Sequence, residues 1–408
     1  MKKQLLLLIV PALIYADDLK SLLDFATTNN NIVVSKEFTQ KAKLKDIGVA
    51  KSAIYPTIDV GGYYKRDDDH SPFQPGDIYS GYVKVGVDLY NGGKSSNTIK
   101  EYKSLHDASK YASSAYKKSL QLQISEDFYN LKSVESRLDA LKEAGVQLMA
   151  ALQRVKKFYE VGSVTKDDVK RLEAAYSNNI YAINSAKYQK IALQKMLALK
   201  VGKKVEQLDN STLIVPHNLQ VALNDNILTL QSNATSLKYA AKSVNSRYYP
   251  QIRFEDTYSV FAYNRKDPKV VPLNEQNQLM LTLNIRLFDR GTISKQKESL
   301  LLQKEALGKE IEQYKEEQKS NIELALLKIE TVKAQIASAK SSLDASTSAY
   351  ETVQKKYAVG LVDYVTYLDA LTVKTEAKSQ YESAVNSLQI AYAKYYFYTN
   401  KNIKDFIQ

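Results

Sequence analysis

The sequence is written twice, and that duplication limits the architectures open to it. Phe158 to Ala174, FYEVGSVTKDDVKRLEA, is echoed by Lys356 to Ala370, KYAVGLVDYVTYLDA. Tyr55-Pro56-Thr57-Ile58 returns as Tyr249-Pro250-Gln251-Ile252, and Leu89-Tyr90-Asn91-Gly92-Gly93 as Leu287-Phe288-Asp289-Arg290-Gly291. The copies keep one order and lie roughly 195 residues apart. Solenoid units run about 20 to 50 residues, so the repeated unit here is a whole structural half.

Within each half the first pair of stretches sits where two long amphipathic patterns meet. Each reads as the tip of a helical hairpin, with a Gly ending one helix and a Thr or Asp capping the next. Eight prolines and fourteen glycines, gathered at a few junctions, leave long uninterrupted helical patterns where a chain of this length would ordinarily form two or three compact domains. From about Ser96 to Tyr159 no proline intervenes, which predicts a rod of roughly 95 Å. Leu131, Val134, Leu138, Leu141, Gly145, Leu148, Leu152, Val155 and Tyr159 keep a 3,4 spacing, the mark of a coiled-coil seam. After the first tip Val169, Leu172, Tyr176, Asn179, Ile183 and Ala186 carry the spacing on. In the second half the seam runs through Ile322, Ala325, Ile329, Val332, Ile336, Ala339, Leu343, Ser346, Tyr350, Val353 and Tyr357, and a returning helix reaches about Tyr398. Asp17 to Ala53 reads as two helical pieces broken around Thr27 to Asn31, and Asn226 to Asn245 as one more helix.

Pro56 and Pro250 each stop a helix and start an extended run, because the residue before a proline is pushed out of helical geometry. Thr57 to Lys65 and Ile78 to Tyr90 form one predicted strand pair, Gln251 to Tyr263 and Gln278 to Phe288 the other. Val83, Val85, Val87 and Leu89 alternate with Lys84, Gly86 and Asp88. Leu279, Leu281, Leu283, Ile285 and Leu287 alternate with Gln278, Thr282, Asn284 and Arg286. Strands of about nine to eleven residues with one apolar and one polar face have the length and pattern of outer membrane strands. Tyr79, Tyr82, Tyr90 and Tyr258 are candidate interface aromatics. Single-chain membrane barrels need about eight strands, so four cannot close and several copies must pool theirs. An ordinary half-exposed hairpin is the competing reading of each pair.

Met1 to Ala16, MKKQLLLLIVPALIYA, combines two lysines, a short apolar run and a small final residue, as a cleaved secretory signal does. With no cysteine, the chain has no disulfide framework, thiolate metal site, catalytic thiol or lipidated N-terminal Cys. The formal charge of +12 comes from lysines interleaved with Glu, Asp, Ser and Gln on helix faces, a solvated exterior and not a nucleic-acid site. His70, His106 and His217 are far apart, and no phosphate-cradling loop or nucleophile elbow is present. Asp67-Asp68-Asp69-His70 reads as a solvated loop in preference to a divalent-ion site. The sequence therefore predicts neither an enzyme nor a cofactor or metal.

The duplicated order of strand hairpin, long helix, tip and helix, the Tyr-Pro entries, the LYNGG and LFDRG exits and the tips YEVG and YAVGL together resemble the TolC-type outer membrane factor family. That family supplies the outer membrane channels of efflux pumps and type I secretion systems. The resemblance implies a mainly α fold with a transmembrane β part: a homotrimer with antiparallel coiled-coil helices forming a periplasmic α-barrel tunnel, and four strands per chain given to a 12-stranded β-barrel in outer membrane lipid. It divides the chain into signal peptide 1–16, N-terminal helices 17–53, first β-hairpin 54–91, first long helical hairpin 92–200, equatorial segment and helix 201–247, second β-hairpin 248–290, second helical hairpin 291–400 and tail 401–408.

The same resemblance implies a passive efflux channel for small molecules, fed by an inner membrane pump through a periplasmic adaptor. Protein secretion through the same architecture and a pore-less periplasmic scaffold stand as alternatives. The adaptor-docking tips map onto Val359, Gly360 and Leu361 and onto Val161, Gly162 and Ser163, although these glycines also serve as plain helix ends. Tyr357 and Asp168 match a tyrosine-to-aspartate latch, and Asp369 matches one acidic constriction ring, unless it faces solvent or a neighbouring lysine. Thr366 stands where the second ring has Asp and Val362 where a latch arginine is expected, so Asp363, one turn from Thr366, is the candidate substitute.

Overall fold

The computed structural model describes residues 17–68, 76–217, 220–264 and 273–408. The proposed signal segment and the Asp69-His70 part of the acidic loop lie outside these residues. The chain forms two bodies, one of Met1–Ser35, Ser114–Asn224 and Glu316–Gln408, the other of Lys36–Ser113 and Asp225–Lys315. Its elements are α1 (Leu19–Asn29), α2 (Asn31–Ser52), β1 (Thr57–Arg66), β2 (Asp77–Asn91), α3 (Lys94–Glu160), α4 (Lys166–Val201), α5 (Asp225–Asn245), β3 (Gln251–Tyr263), β4 (Glu275–Asn284), α6 (Thr292–Ala358) and α7 (Tyr364–Tyr398). The duplication is visible in element length: α3 and α6 have 67 residues each, and α4 and α7 have 36 and 35.

In the first body most seam residues pack as their spacing predicts, while Tyr159 at the end of the first seam is exposed. Leu138, Leu148, Leu152 and Val155 of α3 and Val169, Leu172, Ile183 and Ala186 of α4 are buried, as are Ala325, Ile329, Val332, Ala339 and Tyr350 of α6. The polar seam residue Asn179 is accommodated because its amide donates to the Leu141 carbonyl at 3.1 Å. Its other side-chain atom occupies the space of the absent side chain at Gly145, where a Cβ would stand 2.8 Å from Asn179 Oδ1. Between α1 and α2 a single residue makes the break. Asn30 accepts from the Ile32 and Val33 amides and donates to the Lys200 carbonyl at 2.8 Å, joining the break to the end of α4.

The larger core of this body gathers Leu19, Leu22 and Leu23 of α1 with Ile124 and Phe128 of α3, Leu197 of α4, Ile329 of α6 and Tyr396 of α7. Burial of each such side chain contributes about 1.5–3 kcal/mol. The C-terminal tail, silent in the sequence, belongs to this core. Ile403 is buried and its amide donates to Gln121, while Phe406 stacks on Tyr396 with ring centroids 4.0 Å apart.

In the second body the four strands form one antiparallel sheet in the order β1-β2-β3-β4. The apolar face carries Ile58, Val60, Val83, Val85, Phe254, Leu279 and Leu281; Thr57, Lys84, Glu255, Thr257 and Gln278 share the other. On the polar face Glu255 accepts from Lys84 at 2.8 Å and from Arg253 at 3.0 Å, and Arg253 also reaches Asp88 at 2.9 Å. The apolar face has one ionisable interruption among its central residues: Asp256 lies between Val85 and Leu279, with Oδ1 buried and without a hydrogen-bond partner.

Two expectations about the strands are corrected, and a third holds for a different reason. β4 stops at Asn284 instead of continuing to Phe288, although Ile285 to Phe288 keep the alternation. Asn284 pairs with Gln251, the first residue of β3, and Pro250 before it ends the backbone available for pairing. Tyr82 is on the polar face, lying across Gly61, so it is not a lipid-facing aromatic. Tyr90 does reach the apolar face, but only because a bulge between Asp88 and Tyr90 inserts Leu89 and brings Tyr90 opposite Ile252.

Candidate functional site

Both helical tips lie in the first body and are built alike. α3 closes with the Ser163 amide donating to the Phe158 carbonyl at 2.8 Å, and α6 with Leu361 donating to Lys356 at 2.9 Å. Each closure needs a left-handed residue, supplied by Gly162 at φ 74° and Gly360 at φ 78°. Three residues on, the next helix is capped. Thr165 and Asp168 form a reciprocal capping box at the start of α4, and Asp363 caps α7 by accepting from the Thr366 amide at 2.9 Å and its hydroxyl at 2.7 Å. These turns push apolar side chains outward: Val161 is 73% exposed, Val359 70% and Leu361 74%.

The two hairpins meet just behind the tips. Arg154 of α3 lies with its guanidinium carbon 5.2 Å from the Phe158 ring centre and 5.4 Å from that of Tyr357, and it donates to the Ala358 carbonyl at the end of α6. Tyr357 stacks on Tyr367 of α7 at 4.7 Å, and Tyr367 contacts Tyr350 at 5.9 Å. Burial raises the Tyr357 and Tyr367 phenols, so both stay protonated. A cavity of about 540 Å³ opens here, lined by Arg154, Phe158, Val164, Asp168, Val362 and Tyr364 among others.

Within the single chain Tyr357 and Asp168 each have other neighbours. Asp168 accepts from the Thr165 amide and hydroxyl, both at 2.8 Å, and the nearby Tyr364 hydroxyl of α7 also favours its charged form. Tyr364 occupies the first turn of α7, level with the first turn of α4; Tyr357, at the end of α6, is turned toward Tyr367 and Arg154. The Thr165 amide, with its hydroxyl next, holds the Asp168 carboxyl below the usual range, and the Thr366 hydroxyl does the same for Asp363. Asp363 and Thr366 are therefore occupied with each other. Asp369, one turn along, is exposed and forms no hydrogen bond or ion pair among the described residues. Arg154, Tyr364 and Tyr367 were not singled out by the sequence; the spacing of Arg154 and Phe158, one helical turn apart, was the available signal.

Among the described residues no group of His, Cys, Asp and Glu is placed to hold a metal ion. No helix among the described residues is long and apolar enough to cross a membrane. Both halves of the chain, residues 22–202 and 221–401, match the outer membrane efflux protein family. The chain belongs to that family. It is an outer membrane efflux channel with a periplasmic extension, and its relatives in the family are channels and not enzymes.

Solved structures agree at the level of the fold. The Campylobacter jejuni CmeC outer membrane channel is similar with a TM-score of 0.82 at 17% identity, over 94% of this chain and 86% of that one. The open state of the Neisseria gonorrhoeae MtrE outer membrane channel gives 0.76 at 14%, over 94% and 89%. The outer membrane protein VceC from Vibrio cholerae gives 0.79 at 13%, over 94% and 96%. No curated protein matches the sequence significantly.

Proposed function

We propose that three copies pool their strands into one barrel and act as a passive conduit, receiving small molecules from an inner membrane pump through a periplasmic adaptor. The observation that carries this reading is the sheet itself. β1 and β4 each pair on one side only, and an open edge in hydrocarbon leaves backbone groups without partners. Copies joined edge to edge satisfy both.

The tips are the end that meets the adaptor, through Val161, Gly162 and Ser163 and through Val359, Gly360 and Leu361. Exposed apolar side chains on a rigid, twice-closed turn favour docking against another helical surface. The gate lies beside them. Arg154 with Tyr357, and Asp168 with Tyr364, hold one hairpin to the other, and opening parts these contacts. Asp369 is the constriction carboxylate, repeated around the axis and selective for cations. Asp363 serves as a helix cap, with Thr366 as its donor, and adds no second free ring.

Planar-bilayer conductance tests the assignment. Asp369→Ala raises conductance and weakens block by divalent cations; unchanged values remove Asp369 from the constriction. Gly360→Trp leaves the trimer intact and abolishes transport; loss of the trimer contradicts the tip assignment.

A further inference from the structure

The register places Asn91, Gln251 and Asn284 side by side, with Thr57 opposite Gly86, so all four strands meet their helices at one end of the sheet. Within eight residues beyond those strand ends the sequence carries Lys51, Lys94, Arg247, Arg286 and Arg290 against a single carboxylate, Asp289. That carboxylate is already committed, accepting from the Ile293 and Gly291 amides at 2.7 and 3.0 Å and from the Tyr248 hydroxyl. The five cations are exposed, and only Arg286 lies near enough to Asp289 to attract it. The sequence between the paired strands differs: stretches 67–76 and 264–274 together carry three cations and four carboxylates. A solvated surface has no reason to be lopsided in this way.

Two further observations mark the basic end as a boundary. Tyr55, Tyr90, Tyr249 and Phe288 are all exposed there, an arrangement that suits the polar edge of a bilayer. Deeper in the helices the ammonium groups of Lys100 and Lys242 converge on one ring, 5.7 and 5.8 Å from the centre of Tyr239.

We propose that the helix end of the sheet, through Lys51, Lys94, Arg247, Arg286 and Arg290, docks onto the head groups of anionic phospholipid in the leaflet facing the periplasm. The proposal rests on the reading that the sheet spans the outer membrane. Each cation near a lipid surface adds attraction that salt screens. The interface aromatics set the depth, and the charges select the lipid.

The test uses the full chain in neutral detergent, titrated with phosphatidylglycerol, phosphatidylcholine or inorganic phosphate and followed by intrinsic tyrosine fluorescence and thermal midpoint. Phosphatidylglycerol binds on the order of tenfold tighter than phosphatidylcholine at low ionic strength. High salt, or the joint change of all five residues to Gln, removes the preference. Equal binding of the two lipids by a channel that still conducts overturns the lipid proposal and leaves the barrel standing. Equal protection by inorganic phosphate overturns it too, in favour of a simple anion site. Should the five-residue variant fail to assemble, the salt dependence of the unaltered protein decides.

Discussion

The guanidinium of Arg154 lies 5.4 Å from the ring centre of Tyr357, and through this contact the end of α3 is fixed to the end of α6. Arg154 is also the donor to the last carbonyl of α6, so one side chain ties the two tips together. Replacing it by Ala removes a cation–π contact and a charge-assisted hydrogen bond, about 1–3 kcal/mol in all. The expected result is a severalfold rise in basal conductance with the trimer unchanged. Lys at this position gives little rescue, because an ammonium lacks the planar face that packs between Phe158 and Tyr357. A closed, unaltered Arg154→Ala channel shows the contact to be dispensable for the gate.

The helix caps at the tips titrate together. Hydrogen bonds lower the Asp168 and Asp363 carboxyls below their ordinary value of 3.8, so the folded state binds protons less readily than the unfolded one. Their contribution is complete above the unfolded value and is lost as pH falls through the lower folded values. Protection of the amides at residues 165–169 and 363–367, measured against their intrinsic exchange rates, is therefore expected to hold from neutral pH to about pH 4 and to fall below it. Asp168→Asn with Asp363→Asn keeps a weaker cap and flattens the response. Tip protection that weakens already between pH 7 and 5 implicates other groups.

Asp256 is the misfit on the apolar face. Its buried, unpartnered oxygen sits between Val85 and Leu279, where hydrocarbon contact is expected. Asp256→Leu should stabilise the assembled barrel by about 1–2 kcal/mol per chain, read as a higher denaturant midpoint in detergent. A lower midpoint means that a neighbouring copy supplies a partner for this carboxylate.

The sequence was informative where a local rule sufficed. Pro250 set the start of β3, and its predicted range to Tyr263 is the one observed. The 3,4 spacing found the faces of α3, α4 and α6 because the apolar stripe needs only the helix period to be read. It was silent where the answer lay in a distant partner. Ile285 to Phe288 alternate like a strand, yet β3 has no backbone opposite them. The tail at Lys401 to Gln408 has no periodicity, and its order comes from Gln121 and Tyr396, far away in sequence. At the site, the glycine turns and their caps were legible. That Asp168 meets Tyr364, while Tyr357 turns to Arg154, depends on how two hairpins pack.

The central claim is that the four strands of one chain are part of a barrel shared among copies. The mass of the detergent-solubilised assembly, measured by native mass spectrometry, tests it most directly. A species of three chains that persists in detergent and conducts in planar bilayers is the predicted result. A single chain, soluble without detergent and silent in bilayers, contradicts it.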